Sequence, residues 1–275
     1  MRNNYLLVVP LLLLMVSGCM EMDGFLFNTK KLDHYSLPGN TIPDSLVEPM
    51  SVMSGGNRIY GYWVRSGGGR PGLTMLYCHG NKHNIDNYWD RVMYLHRLGV
   101  NVLIFDYRGF GMSEGTSSEE GLYADGEAAL DYLTRTKGVL ADSLILYGYS
   151  LGNVVSIHLA AEKITPLTLI AESPFASANS LTQSSSGLDL PPRWLTDGTF
   201  DNAAAIAGVH APLLLMQGED DDFVRYRDNG LVVFRNANEP KRLVPVPGAV
   251  HTDVPEKMGV ENYLALLNEW IATRR

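Results

Sequence analysis

The sequence predicts an α/β domain built on a mostly parallel central sheet with helices on both faces. Three observations carry this. Nearly continuous apolar runs recur at Leu73 to Cys78, Val100 to Phe105, Leu144 to Tyr147, Leu167 to Ala171 and Leu213 to Met216, the pattern of strands covered on both faces. Stretches with helical spacing alternate with those runs, as βαβ units require. The chain has 275 residues, 45% hydrophobic and 19% charged, enough for a large core and unlike a disordered or coiled-coil chain.

In order along the chain, Arg2 precedes an apolar run from Tyr5 to Val16 that ends in Ser17-Gly18-Cys19. A positive start, a short apolar run and small residues read as a secretory signal over 1–18. The run is shorter than the roughly 20 residues that span a bilayer. Residues 19–46 hold Pro38 and Pro43, lack a clear period and read as a tether and lead-in to the domain at 47–275. Val47 to Met53 and Arg58 to Val64 flank Ser54-Gly55-Gly56-Asn57, a hairpin signal.

Ile85, Tyr88, Trp89, Val92, Leu95 and Leu98 give a helix within 84–98, and Ser118 opens another that runs to Lys137. A helix follows Gly152, Leu243 to Val246 is a further strand candidate, and Tyr263 to Ile271 forms the last helix. Residues 173–210 are polar, irregular and proline-bearing, which reads as a cap insertion over the site.

The formal net charge is -8 and no basic stripe is present, so nucleic acid is excluded as a partner. No metal-ligand or cofactor motif stands out, and none is expected. With Cys19 at the edge of the signal, Cys78 has no partner for a disulfide and reads as a buried, inert thiol.

The chemistry centres on Gly148-Tyr149-Ser150-Leu151-Gly152, between a strand and a helix. Gly-x-Ser-x-Gly at such a turn lifts the serine hydroxyl above the sheet, beside helix amides that favour negative charge. A serine needs a base, and His158, His210 and His251 lie downstream. His158 falls mid-helix and His210 precedes a strand at the wrong edge of the sheet. His251, in a loop before the last helix, is the candidate base. The acid belongs at the end of the preceding strand, where Glu219-Asp220-Asp221-Asp222 offers several carboxylates.

Together these motifs resemble the α/β-hydrolase fold family. That family carries His-Gly after an early strand, Gly-x-Ser-x-Gly, Gly-x-x-Asp-x-x-Val and a Gly-x-x-His loop. Here they read His79-Gly80-Asn81, 148–152, Gly218 to Val224 and Gly248-Ala249-Val250-His251. Asp106 to Gly115 is similar to the family's Asp-x-Arg-Gly-x-Gly-x-Ser loop. The likeness covers roughly residues 48–273 and is nearest to small serine hydrolases, among them thioesterase-like proteins and bacterial esterases.

The resemblance implies Ser150 as nucleophile, His251 as base and Asp221 as acid, with Asp220 and Asp222 as alternatives. It implies an oxyanion hole from the amides of Leu151 and Asn81. It also implies cleavage of carboxylic esters or thioesters of small-molecule or lipid-like acyl substrates through an acyl-enzyme. Lys82 and His83 follow Asn81 where the family often has small residues, and Val250 replaces its usual Gly or Cys. Phe175, Trp194, Phe200 and Phe223 are candidate pocket aromatics.

Two other readings remain at this point: an exported peptidase, with Asp189, Asp197 or Asp201 holding a free amine, and a non-catalytic binding lipoprotein. Val16-Ser17-Gly18-Cys19 is similar to the lipobox of bacterial lipoproteins, which implies lipidation of Cys19 and an exported, membrane-anchored chain.

Overall fold

The computed structural model describes residues 26–186 and 198–274. The signal segment and Cys19 lie outside the described residues. The hairpin expected around the double glycine is β1 (Val47–Ser54) and β2 (Asn57–Val64), paired antiparallel with Ser54 opposite Asn57. Gly55 and Gly56 both take positive φ, 53° and 86°, which is what a tight two-residue turn demands.

Then come β3 (Thr74–Cys78), α1 (Trp89–His96), β4 (Asn101–Phe105), α2 (Glu119–Asp131), β5 (Leu144–Tyr149), α3 (Gly152–Glu162) and β6 (Thr168–Glu172). The chain continues through α4 (Ala178–Ser186), α5 (Asn202–Ala205), β7 (Leu213–Gly218), α6 (Gly230–Asn236), β8 (Lys241–Val246), α7 (Val254–Met258) and α8 (Val260–Ala272). The sheet order is β8-β7-β6-β5-β3-β4-β2-β1, parallel from β8 to β4. The carboxyl ends of the parallel strands therefore open on one edge, where α/β proteins place their sites.

Period-two alternation splits each central strand between two cores. Leu76, Leu103, Leu146, Leu169 and Leu215 pack with α2 and α3. Tyr77, Ile104, Tyr147, Ile170 and Met216 pack with α1 and α8 on the opposite face. Ser118 caps α2 by accepting the Gly121 N–H at 3.1 Å.

One expectation is corrected. Residues 26–46 are not a free lead-in. Leu26 and Phe27 are buried, and Asn28–Thr29 pairs in parallel with Lys82–His83. The Tyr35 hydroxyl donates to Asp106 at 2.7 Å, and the Leu37 amide donates to Asp86 at 2.9 Å. Aperiodic segments hide this kind of packing because their partners are remote in sequence. Of the stretch expected as a cap, 187–197 lie outside the described residues, while Asn202–Gly208 packs against α3 and Ser184 of α4 donates to the Phe223 carbonyl at 3.1 Å. Phe175 and Phe200 are fully buried core, and Asn202 binds the Phe175 carbonyl at 2.9 Å. Trp194 lies outside the described residues.

Candidate active site

Strand β5 delivers Ser150 into a left-handed backbone turn, φ 50°, unusual for a residue with a Cβ. Main-chain packing imposes that turn. The Ser150 N–H donates to the Glu172 carbonyl at 3.0 Å, and the Asn153 side-chain amide donates to the same oxygen at 2.8 Å. Both flanking glycines are sterically required. A Cβ at Gly152 would overlap the Cys78 carbonyl oxygen, and one at Gly148 would stand 2.7 Å from the Asn153 Cα. With no room for side chains on either side, α3 starts directly beneath the serine.

The loop after β8 brings His251 to the same point. Asp253 Oδ1 accepts the Val250 N–H at 2.7 Å and steadies the loop. His251 Nε2 stands 2.9 Å from Ser150 Oγ, and Nδ1 stands 2.8 Å from Asp221 Oδ2. A carboxylate facing Nδ1 puts the ring proton there, which leaves the Nε2 lone pair for the serine hydroxyl. Asp221 is buried, and its other oxygen accepts the N–H groups of Phe223 at 3.1 Å and Val224 at 2.7 Å. Glu219, Asp220 and Asp222 of the same turn are exposed. Of the four carboxylates, Asp221 is the one that stands against the His251 ring.

A cleft of about 610 Å³ opens over this array. Ser150, His251, Phe223 and Asn81 line it, as does Lys82. Leu151, the residue before α3, is buried directly beside Ser150. Of the four candidate aromatics, only Phe223 reaches the cleft among the described residues; Phe175 and Phe200 do not. His158 instead pairs with Glu127 at 2.8 Å, and His210 is exposed.

Sequence reasoning did not find the opposite wall. It comes from Asn28 in the N-terminal stretch and from Tyr88, Asp90 and Arg91 around the start of α1. An amphipathic helix pattern could have flagged Arg91, which falls on the buried face among Trp89, Val92 and Leu95. Below Asn81, His79 Nε2 lies 3.0 Å from Asp106 Oδ1, both fully buried. Burial pushes the Asp106 carboxyl up, and hydrogen bonding from His79 and Tyr35 pulls it partly back.

Residues 69–194 match the family model described as serine aminopeptidase, S33. The chain is 36% identical over 198 residues to the uncharacterized protein Rv2307c of Mycobacterium tuberculosis, covering 72% of this chain and 69% of that protein. It is 31% identical over 224 residues to alpha/beta hydrolase domain-containing protein 17B of Homo sapiens, covering 81% of this chain and 74% of that protein. This chain belongs to the α/β-hydrolase family. In three dimensions it is similar to the Pyrococcus furiosus esterase Pf2001, with a TM-score of 0.71 at 22% identity, over 86% of this chain and 94% of that one. That likeness covers more of the chain than the segment that the family model matches.

Proposed function

We propose that this α/β-hydrolase is a serine hydrolase that cleaves carboxylic ester or thioester bonds through an acyl-enzyme. The observation that carries the reading is the unbroken chain from Ser150 Oγ through the His251 ring to Asp221, at 2.9 and 2.8 Å, at the floor of an open cleft. Ser150 Oγ attacks the acyl carbon while its proton passes to His251 Nε2. Asp221 stabilises the imidazolium without taking the proton. The Leu151 and Asn81 amides face the oxyanion. The C–O or C–S bond then breaks, and the His251 proton leaves with the alcohol or thiol. Water, deprotonated by His251, next attacks the acyl carbon, and Ser150 recovers its proton.

From Val16-Ser17-Gly18-Cys19 we further propose an exported lipoprotein held in a bacterial membrane by a lipid on Cys19. Among the described residues no helix is long and apolar enough to cross a membrane. Residues 20–25 separate Cys19 from the packed Leu26 and reach about 25 Å at full extension. A lipid on Cys19 would thus hold the cleft wall at Asn28 near the bilayer, the source of lipid-like acyl substrates on this proposal.

A second reading, an exported peptidase, is favoured by the description of the matching family model and by Asp90, a cleft carboxylate able to hold a free amine. Of the carboxylates expected for that role, Asp201 caps α5 through the Ala204 N–H, and Asp189 and Asp197 lie outside the described residues.

The test is labelling of the full chain by a fluorophosphonate probe, followed by p-nitrophenyl esters of increasing acyl length against aminoacyl anilides. Labelling lost in Ser150→Ala and His251→Ala, with turnover falling about a thousandfold or more, is the expected result. Preference for anilides sinks the ester reading. Absent labelling of folded wild type leaves the non-catalytic binding lipoprotein.

A further inference from the structure

We infer that Arg91 and Glu172 form a charge-balanced positioning pair for the Ser150–His251 site, a role that rests on the hydrolase reading above. Glu172 ends β6 and is fully buried. Its main-chain carbonyl holds the Ser150 N–H at 3.0 Å. Its carboxylate receives Arg91 Nη1 at 2.7 and 2.6 Å, together with the hydroxyls of Tyr147 and Tyr263. Arg91 reaches in from α1 and lines the cleft. Its guanidinium carbon lies 5.3 Å from the Tyr149 ring centroid, and the His251 ring stands 5.7 Å from that same centroid at 29°. The Tyr149 hydroxyl donates to the His251 carbonyl at 3.2 Å. The pair thus touches the nucleophile through main chain and the base through one shared ring.

The pair's stability contribution does not explain its placement, because a buried ion pair is often no better than apolar residues of the same shape. Its charge balance does. Glu172 faces Arg91 from α1, Tyr77 from β3, Tyr147 and Tyr149 from β5, and Tyr263 from α8. Burial pushes all four phenols up, so Arg91 supplies the formal charge opposite the carboxylate. His251 faces Asp221 from the turn after β7 and the Tyr149 and Phe223 rings, with Lys82 and Asp90 as further charged groups lining the same cleft, while Asp253 binds the Val250 N–H of its loop.

As a neutral pair, Arg91 and Glu172 leave the protonation of the base to Asp221. Removing Arg91 strands an anion behind Tyr149, which favours imidazolium. His251 then loses its proton only at higher pH, and the acid limb of the activity profile moves up. Removing the Glu172 charge strands a cation, and the limb moves down. Simple loosening of the fold cannot move the limb in opposite directions.

The experiment measures kcat/KM for p-nitrophenyl acetate between about pH 5 and 9 on the full chain, the window in which a histidine base titrates. It compares wild type with Arg91→Met, Glu172→Gln and the double variant. The expected result is an acid limb about half a pH unit or more higher in R91M, lower by a similar amount in E172Q, and back at the wild-type position in the double variant. Limbs that stay put, or shift the same way in both single variants, overturn the inference. If R91M does not fold, the downward shift in E172Q decides alone. Absent turnover by wild type overturns the hydrolase reading and this inference with it, whereas wild-type turnover with unmoved limbs overturns the pair only.

Discussion

The turn at Ser150 and the stretch from Leu26 to Leu46 both border the cleft, yet they are held in place by different physics. The serine turn is held by main chain pressed on main chain: α3 sits against the end of β3 so closely that Gly152 has no space for a methyl group. The N-terminal stretch is held by the buried side chains of Leu26, Phe27 and Ile42 and by hydrogen bonds to Asp86 and Asp106, 49 to 71 residues away along the chain. Close main-chain packing leaves a mark in the sequence, because glycine alone satisfies it. Docking by scattered side chains leaves none. The difference predicts intolerance of substitution at the first region and graded tolerance at the second.

Gly152→Val tests the extreme case. The added carbons meet the carbonyl of a central strand, which cannot yield without unpairing β3. Destabilisation of about 3 kcal/mol or more is expected, with loss of fluorophosphonate labelling, read by chemical denaturation and gel fluorescence. A folded, labelled G152V would show that the turn is less tightly built than the contact implies.

Phe27→Ala tests the second region. Phe27 is 6% exposed and meets Phe200 edge-on at 6.1 Å. Its removal costs about 3 kcal/mol if the cavity stays open and less if the stretch collapses inward. Labelling of Ser150 is expected to survive in the folded fraction, since none of the elbow's contacts passes through Phe27. Loss of labelling without loss of stability would mean that the N-terminal stretch also positions the reacting groups.

The same contrast explains how much could be read from the sequence. The five inner parallel strands, β3 to β7, were visible as apolar runs, because strands covered on both faces have no polar side to interrupt them, whereas edge strand β8, which opens with Lys241 and Arg242, was visible only as a candidate. Ser150 and His251 were visible because short motifs fix them to strand ends. The residues alone offered Asp221 as one of four acids, and only the family resemblance preferred it. Its selection depends on which side chain turns inward to meet Phe223 and Val224 amides, a matter of local turn geometry. Asn28, Asp90 and Arg91 were missed as cleft residues. Their neighbours across the cleft come from strands far along the chain, and no spacing rule links them. The two aromatics of the 173–210 stretch were misplaced for a related reason. Its prolines and polar residues conceal Phe175 and Phe200, which face the core and not the cleft.

A milder break in the second region is Asp86→Ala. Its carboxylate accepts the Ser36 hydroxyl at 2.8 Å and the amides of Ser36 and Leu37 at about 3 Å. These bonds are partly exposed, so water replaces them readily. A loss of about 1 kcal/mol is expected, with unchanged ester turnover. A larger loss would mean that the stretch docks as one cooperative piece and is not pinned point by point.

The smallest effect is a reaction that should not occur. Cys78 ends β3, fully buried, with its carbonyl against Gly152. Burial pushes its thiol far up, so it holds its proton through neutral and moderately alkaline pH, and only the thiolate attacks a disulfide reagent. In a Cys19→Ser variant, Cys78 is the single thiol. Ellman's reagent should find no reactive thiol in the native protein and about one equivalent after unfolding in guanidinium. Should the native thiol react within minutes near neutral pH, the end of β3 must open to solvent on that timescale. The main-chain contact that shapes the Ser150 turn would then be intermittent, and the rigidity contrasted above with the side-chain docking of the N-terminal stretch would belong to neither region.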